Sequence, residues 1–305
     1  MYNQYIGRSG KTYNVTEERI NGGGEGNIYS VLGEPDIVAK IYKEDRRTKD
    51  REDKLIVMMR HSLPNVTWPK DVVYDQQGCF MGYIMDRLVN TKNLNYIYDT
   101  EIEKLTLRHR ILIAYNLCAV IDSIHALGQV CGDLNPQNIC VNVDLNSSNA
   151  CRITLVDSDS YHIIDNNMTY RCEVGLSNYI APELQNKLGN QYNLKTAPLP
   201  TYTKETDLFA MAVHIFALLM NGCHPFSCAQ MTSDQEESVV LPQPIDNIKS
   251  GFFPFAQKKE GITIPLYAPA FESLPYVLQN LFIKTFLEGY YEPSKRATAK
   301  EWMEG

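Results

Sequence analysis

The spacing of apolar residues changes character once along this chain, and that change limits the folds open to it. Up to about residue 90 they fall in short strand-like runs at 28–32, 37–42, 71–74 and 80–85, separated by turns such as Gln77-Gly78. A single helix over 51–60 interrupts these runs. Beyond residue 100, Leu107, Ile111, Ala114, Cys118, Ile121 and Ile124 recur at intervals of three and four, one stripe of a long helix that Gly128 is placed to end. Two short strands, 139–143 and 153–156, precede an apolar helix at 207–221 and closing helices near 274–287 and 297–304. A β-rich small lobe (1–87) followed by a larger, mainly helical lobe (88–305) is an α+β, bilobal plan. The crevice between such lobes is where a ligand sits.

Bulk properties narrow the function. The 305 residues are 44% hydrophobic and 21% charged, ample for a globular core. A net charge of −7 with no basic stripe argues against a nucleic-acid partner. The mixed charges between Lys43 and Lys54 read as a solvated loop and helix start. Residues 1–10 are polar and show no secretory signal. The longest apolar stretch, 209–220, is too short for a bilayer and is interrupted by His214, so no membrane association is expected. Eight cysteines without a CxxC pair, most of them within apolar runs, read as reduced core residues of a cytoplasmic protein.

Three local patterns carry chemistry. Asn21-Gly-Gly-Gly-Glu-Gly26-Asn-Ile28 lies between two strands, where glycines allow backbone amides to approach phosphate oxygens; a plain glycine-rich hairpin is the alternative. Lys40 stands in the apolar run Val38-Ala39-Lys40-Ile41, although a strand lysine usually faces water. Cys131-Gly-Asp133-Leu-Asn-Pro136-Gln-Asn138 and Val156-Asp157-Ser-Asp159 place carboxylates and an amide on loops beside buried strands. That set offers a base plus oxygen ligands for a hard cation, or simply turn formers.

In this order the patterns resemble the catalytic domain of the eukaryotic-type (Hanks-type) protein kinases, in a divergent bacterial or phage-like branch. The likeness runs from about residue 13 to 304. It includes His61 and Pro64-Asn-Val66, Ala181-Pro182-Glu183, Asp207 at the start of the apolar helix, His224-Pro225-Phe226 and Arg296-Ala-Thr-Ala. The resemblance implies ATP and Mg²⁺ as cofactors and a protein Ser/Thr hydroxyl as acceptor. It implies Gly23, Gly24 and Gly26 at the phosphates, and Ile28, Ala39, Met85, Asp86, Leu88 and Cys140 around the adenine. Lys40 would hold the α- and β-phosphates, fixed by Glu52, with Asp53 and Glu44 as alternatives. Asp133 would face the acceptor hydroxyl, Asn138 and Asp157 would bind the metal, and Glu183 would pair with Arg296.

The chain departs from the family at several places. Asn135 replaces the catalytic-loop lysine, and Leu176 the threonine that bonds to it. Cys131 and Ser158 replace the histidine and phenylalanine of the inter-lobe stack, so a less rigidly tied cleft is expected. Gly132 replaces the arginine that receives an activation-loop phosphate, which leaves control to a partner protein, expression level or lobe closure. Asp159 stands where the family has glycine, as a metal ligand or a turn-bonded carboxylate. Because Lys40, Glu52, Asp133, Asn138 and Asp157 are all present, an active kinase is favoured over a nucleotide-binding pseudokinase scaffold. A small-molecule kinase is the third reading.

Overall fold

In the computed structural model, residues 1–98, 105–166, 168–188, 193–230 and 241–305 are described. The N-terminal part is a closed six-stranded barrel, built from β1 (Tyr2–Gly7), β2 (Thr12–Gly22), β3 (Gly26–Val31), β4 (Glu34–Tyr42), β5 (Asp71–Tyr74) and β6 (Phe80–Asp86). Its strand order is β1-β2-β3-β4-β6-β5. The first two strands carry many polar residues and no clean apolar run, so periodicity alone overlooks them. β1 closes the barrel by pairing with both β2 and β5.

Between β4 and β5 lies α1 (Lys49–Met58), whose N-cap Thr48 accepts a hydrogen bond from the Arg51 amide through its side chain. Its buried face is Lys54, Leu55, Val57 and Met58. The strands sort their side chains by the period of two: Ala39 and Ile41 point into a barrel core with Tyr5, Tyr13, Val15, Val31, Val73 and Ile84. Val38 and Tyr42 join the larger core on the other face.

The helical part begins after β7 (Thr91–Asn93) and α2 (Leu94–Tyr98) with α3 (Leu107–Ala126), which packs on α5 (Lys204–Leu219). Gly128, with φ 75°, ends α3 by donating to the His125 carbonyl. The C-terminal half of the expected α3 stripe is buried, whereas Leu107 and Ile111 face solvent. β8 (Ile139–Asn142) and β9 (Ile153–Leu155) form a small sheet with β7. The hairpin of β10 (Ile163–Asp165) and β11 (Met168–Tyr170) follows, then α4 (Pro182–Leu188). The chain closes through α6 (Pro244–Ser250), α7 (Tyr276–Ile283), a short α8 (Gly289–Tyr291) and α9 (Ala299–Glu304).

A phenylalanine cluster holds these helices together. Phe209 stacks on Phe226, Phe216 lies edge-on to Phe253 and Phe282, and Phe282 touches Trp302. No helix among the described residues is long and apolar enough to cross a membrane.

Candidate active site

Between the barrel and the helical part lies a cleft of about 820 Å³. It is lined by Gly23, Gly24, Gly26, Ile28, Lys40, Met85, Asp86 and Leu88 from the barrel side, and by Asp133, Asn138, Cys140 and Asp157 from the other. The glycine-rich turn joins β2 to β3, with the Gly23 amide bonded to the Gly26 carbonyl. A Cβ on Gly26 would stand 2.6 Å from the Ile41 carbonyl oxygen, so only glycine lets β3 run this close to β4 there.

Ala39, expected at the adenine, does not reach the cleft. It is fully buried in the barrel core, and Val38 lines the cleft in its place. The cause is strand alternation: residues sharing a face with Lys40 are 38 and 42, never 39.

Lys40 is buried and donates to both carboxylate oxygens of Asp159, at 2.8 and 2.9 Å, and to Asp157 Oδ1 at 3.1 Å. Glu52, expected as its partner, is elsewhere. Its carboxylate accepts from the Tyr74 hydroxyl at 2.6 Å and from Lys49 at 3.2 Å. Helix geometry gives the reason: Lys54 faces inward, and Glu52, two residues earlier, is rotated by about 200° around α1. Lys54 is itself buried and donates to the Arg171 carbonyl at 3.4 Å.

Asp159 neither bonds within its own turn nor opens onto the cleft. It also accepts from the hydroxyls of Tyr42 at 2.7 Å and Tyr83 at 2.9 Å. Burial alone would raise its pKa, but the Lys40 ammonium and the hydrogen bonds from Lys40 and Tyr42 hold it well below the usual carboxylate range. Burial likewise works against the charge on Lys40, and Asp159 first, then Asp157, outweigh it and hold the ammonium above its ordinary pKa. The phenols of Tyr42 and Tyr83 are pushed far up by burial and then by Asp159.

The catalytic-loop segment is fixed from beneath. Asp207, at the start of α5, accepts from the amides of Cys131 at 2.8 Å and Gly132 at 2.9 Å, and from His125 at 2.9 Å. This suspends Asp133, whose Oδ2 accepts from Asn135 Nδ2 at 2.9 Å and Asn138 Nδ2 at 3.2 Å. Burial raises the Asp133 pKa, while Asn135, the Leu176 amide and Asn138 pull against it. Asn135 and Leu176 thus still serve Asp133, one through its side-chain amide and the other through its backbone.

The chemistry of the remaining donors suits a hard cation. Asn138 uses its Nδ2 on Asp133, which leaves Oδ1 for the cleft, and the Asp157 side chain is about half exposed there. Asp157 adopts φ 54°, an uncommon conformation for a residue with a side chain.

The expected loosening between lobes is offset by other contacts. The Ser158 hydroxyl donates to the Thr67 carbonyl at 2.7 Å, the Thr67 amide bonds to the Leu155 carbonyl, and Tyr161 packs edge-on to Trp68. Below the cleft, Arg296 grips Glu183 through two hydrogen bonds of 2.7 and 2.6 Å and also reaches the Glu205 carbonyl. Sequence reasoning missed Val38, Tyr42, Tyr83 and Thr67. The first three are legible from strand register once Lys40 is fixed as the reference, because Val38, Lys40 and Tyr42 share one face and Tyr83 pairs across with Lys40.

This arrangement, a glycine turn and a buried lysine facing loop carboxylates across a cleft, is that of a protein kinase domain. The protein kinase domain model matches residues 15–304, so the chain belongs to the protein kinase family. It is 27% identical over 296 residues to protein kinase YegI of Escherichia coli (strain K12), covering 92% of this chain and 42% of that protein. It is 25% identical over 211 residues to ribosomal protein S6 kinase 2 alpha of Gallus gallus, covering 64% of this chain and 24% of that protein. The chain therefore spans less than half the length of these relatives. Among solved structures, the crystal structure of Rad53 1-466 in complex with AMP-PNP superposes with a TM-score of 0.60 at 15% identity. The match covers 95% of this chain and 64% of that one, and it shows the shared fold.

Proposed function

We propose that this domain transfers the γ-phosphoryl group of ATP to a serine or threonine hydroxyl of a protein. The observation that carries this reading is the convergence of Lys40, Asp133, Asn138 and Asp157 on one cleft roofed by the glycine turn. Kinase relatives and the nucleotide analogue in the Rad53 structure support it.

In this reading the amides of Gly23, Gly24 and Gly26 and the Lys40 ammonium hold the phosphates. Ile28, Val38, Met85, Leu88 and Cys140 enclose the base. Asp133, its carboxyl raised by burial, receives the acceptor proton. Asn138 Oδ1 and Asp157 would hold Mg²⁺, which neutralises charge on the β- and γ-phosphates when bound. Glu183, anchored by Arg296, shapes the platform on which a protein segment lies.

The test is incubation of the purified domain with radiolabelled ATP and Mg²⁺, alone and with a generic protein acceptor, followed by phosphoamino-acid analysis. Label on serine or threonine, lost in Asp133→Ala, is the expected result. A wild-type domain that binds ATP but labels nothing would replace this reading with a nucleotide-binding scaffold.

A further inference from the structure

We infer that Asp159 is the positioning residue that orients Lys40 toward nucleotide phosphates, with Tyr42 and Tyr83 fixing its carboxylate. The inference rests on the reading of Lys40 as a phosphate-binding group. A lysine on a strand can sweep a wide arc through its flexible stem, so a useful ammonium needs an immobile counter-charge. Asp159 meets that need, being 3% exposed and bonded through both oxygens to Lys40. Its remaining capacity is taken by two phenols standing on β4 and β6, the strand of Lys40 and its neighbour. The rings of those phenols also lie 5.8 and 6.0 Å from the ammonium.

Among the described residues, Asp159 is the carboxylate that holds Lys40 through both oxygens. Asp157 is half exposed and contributes one longer bond, and Glu52 is engaged by Tyr74 and Lys49. Helix α1 presents cations on this side instead. Arg51 stacks on Tyr42 and bonds to Glu25 of the glycine turn, and Lys54 is buried. The counter-charge of Lys40 thus comes from the metal-side loop. A shift of α1 would leave the Lys40–Asp159 pair intact.

The same geometry separates positioning from metal ligation, because both Asp159 oxygens are already committed. The experiment is calorimetric titration of ADP and of adenosine in EDTA, into wild type, Lys40→Met, Asp159→Asn, Glu52→Gln and Tyr42→Phe/Tyr83→Phe. Wild type should bind ADP more tightly than adenosine, and Lys40→Met should erase that difference. If wild type binds no nucleotide, or Lys40→Met keeps the full difference, the phosphate-binding reading of Lys40 fails and the inference fails with it.

With that reading intact, Asp159→Asn should weaken ADP binding tenfold or more while adenosine binding stays within twofold. Wild-type affinity for ADP in Asp159→Asn, or loss of the phosphate contribution in Glu52→Gln instead, overturns the inference. Should Asp159→Asn not fold, the double phenylalanine variant decides, since it keeps both rings and removes only the hydroxyls. A severalfold loss for ADP alone supports the inference, and unchanged ADP affinity in that folded variant overturns it.

Discussion

Lys54 and Gly132 each abut the strip formed by Arg171 and Cys172, and each limits what its position can hold. Gly132 has φ 81°, and a Cβ there would stand 2.8 Å from the Cys172 side chain, so an arginine cannot take this place without moving the activation segment. Gly132→Ala should therefore destabilise the domain by about 2 kcal/mol, from backbone strain plus overlap, as read by urea unfolding. Lys54 is the opposite case, a residue the fold tolerates at a cost. Burial lowers its pKa to about 8, and its weak bond to the Arg171 carbonyl does not compensate. Between about 8 and the ordinary lysine value the unfolded chain binds more protons than the folded one, so the sign is that stability rises with pH there. At about 1.4 kcal/mol per pH unit, the cost of keeping Lys54 charged at neutral pH is on the order of 3 kcal/mol. Lys54→Met, which fills similar space without charge, should raise the melting temperature at pH 7 and lose most of that advantage by pH 10.5. An equal or lower melting temperature at pH 7 would contradict this account.

At the scale of elements, the activation segment is tied down without any phosphate. Arg171 donates to the Ala197 carbonyl at 2.6 Å, Arg60 pairs with Asp165 at 2.8 Å, and β10 and β11 form a closed hairpin register. Phosphatase treatment of the purified domain should leave its initial rate unchanged. A tenfold fall, equal to about 1.4 kcal/mol of transition-state stabilisation, would show a phosphorylation switch. The platform beyond it depends on Arg296, whose guanidinium is buried against Glu183, the Glu205 carbonyl and the Phe209 ring. Arg296→Ala leaves a carboxylate without its partner and should cost about 3–5 kcal/mol in chemical denaturation. Much of this was legible in the sequence. Asp133, Asn138, Asp157 and Arg296 sit on short loops and Glu183 in the first turn of α4, with spacing set by the flanking strands and helices, so order along the chain stands in for position in space. Other features depend on partners far apart in the chain. The partner of Lys40 is 119 residues away, and choosing Asp159 over Glu52 requires knowing which face of α1 turns inward. Strands β1 and β2 escaped because closure of a barrel, with no two-sided apolar pattern, is what stabilises them.

At the scale of the whole molecule, and among the described residues, His162 and His214 are buried and His224 is partly buried, and burial holds all three rings toward the neutral form. Burial lowers His162 to about 4, His214 to about 3 and His224 to about 4. Each is held by specific partners that fix the neutral ring. His214 lies between the Tyr98 hydroxyl and the Leu134 carbonyl, stacked on Tyr179. The His224 ring bonds the Asn178 carbonyl and accepts from the Phe226 amide, and His162 accepts from the Cys172 amide. These rings join the catalytic loop, the activation segment and α5, so they titrate with the fold as a unit. Their folded pKa values lie below the ordinary histidine value near 6.5, so in acid the unfolded chain takes up protons that the folded chain refuses. The stability they permit is fully present at neutral pH and is lost as pH falls from about 6.5 toward 4. Between pH 7 and 5 each contributes slightly under 2 kcal/mol, and together the loss is on the order of 5 kcal/mol, a large share of a domain's total. Asp133 opposes this weakly, since a carboxyl raised by burial favours the folded state at lower pH. Urea unfolding midpoints measured at half-unit steps should fall steeply below pH 6.5. In His214→Gln, whose amide can keep one donor and one acceptor in the same space, the slope should lessen by about a third. A midpoint that stays flat from pH 7 to 5 would mean these rings are not held neutral by the fold.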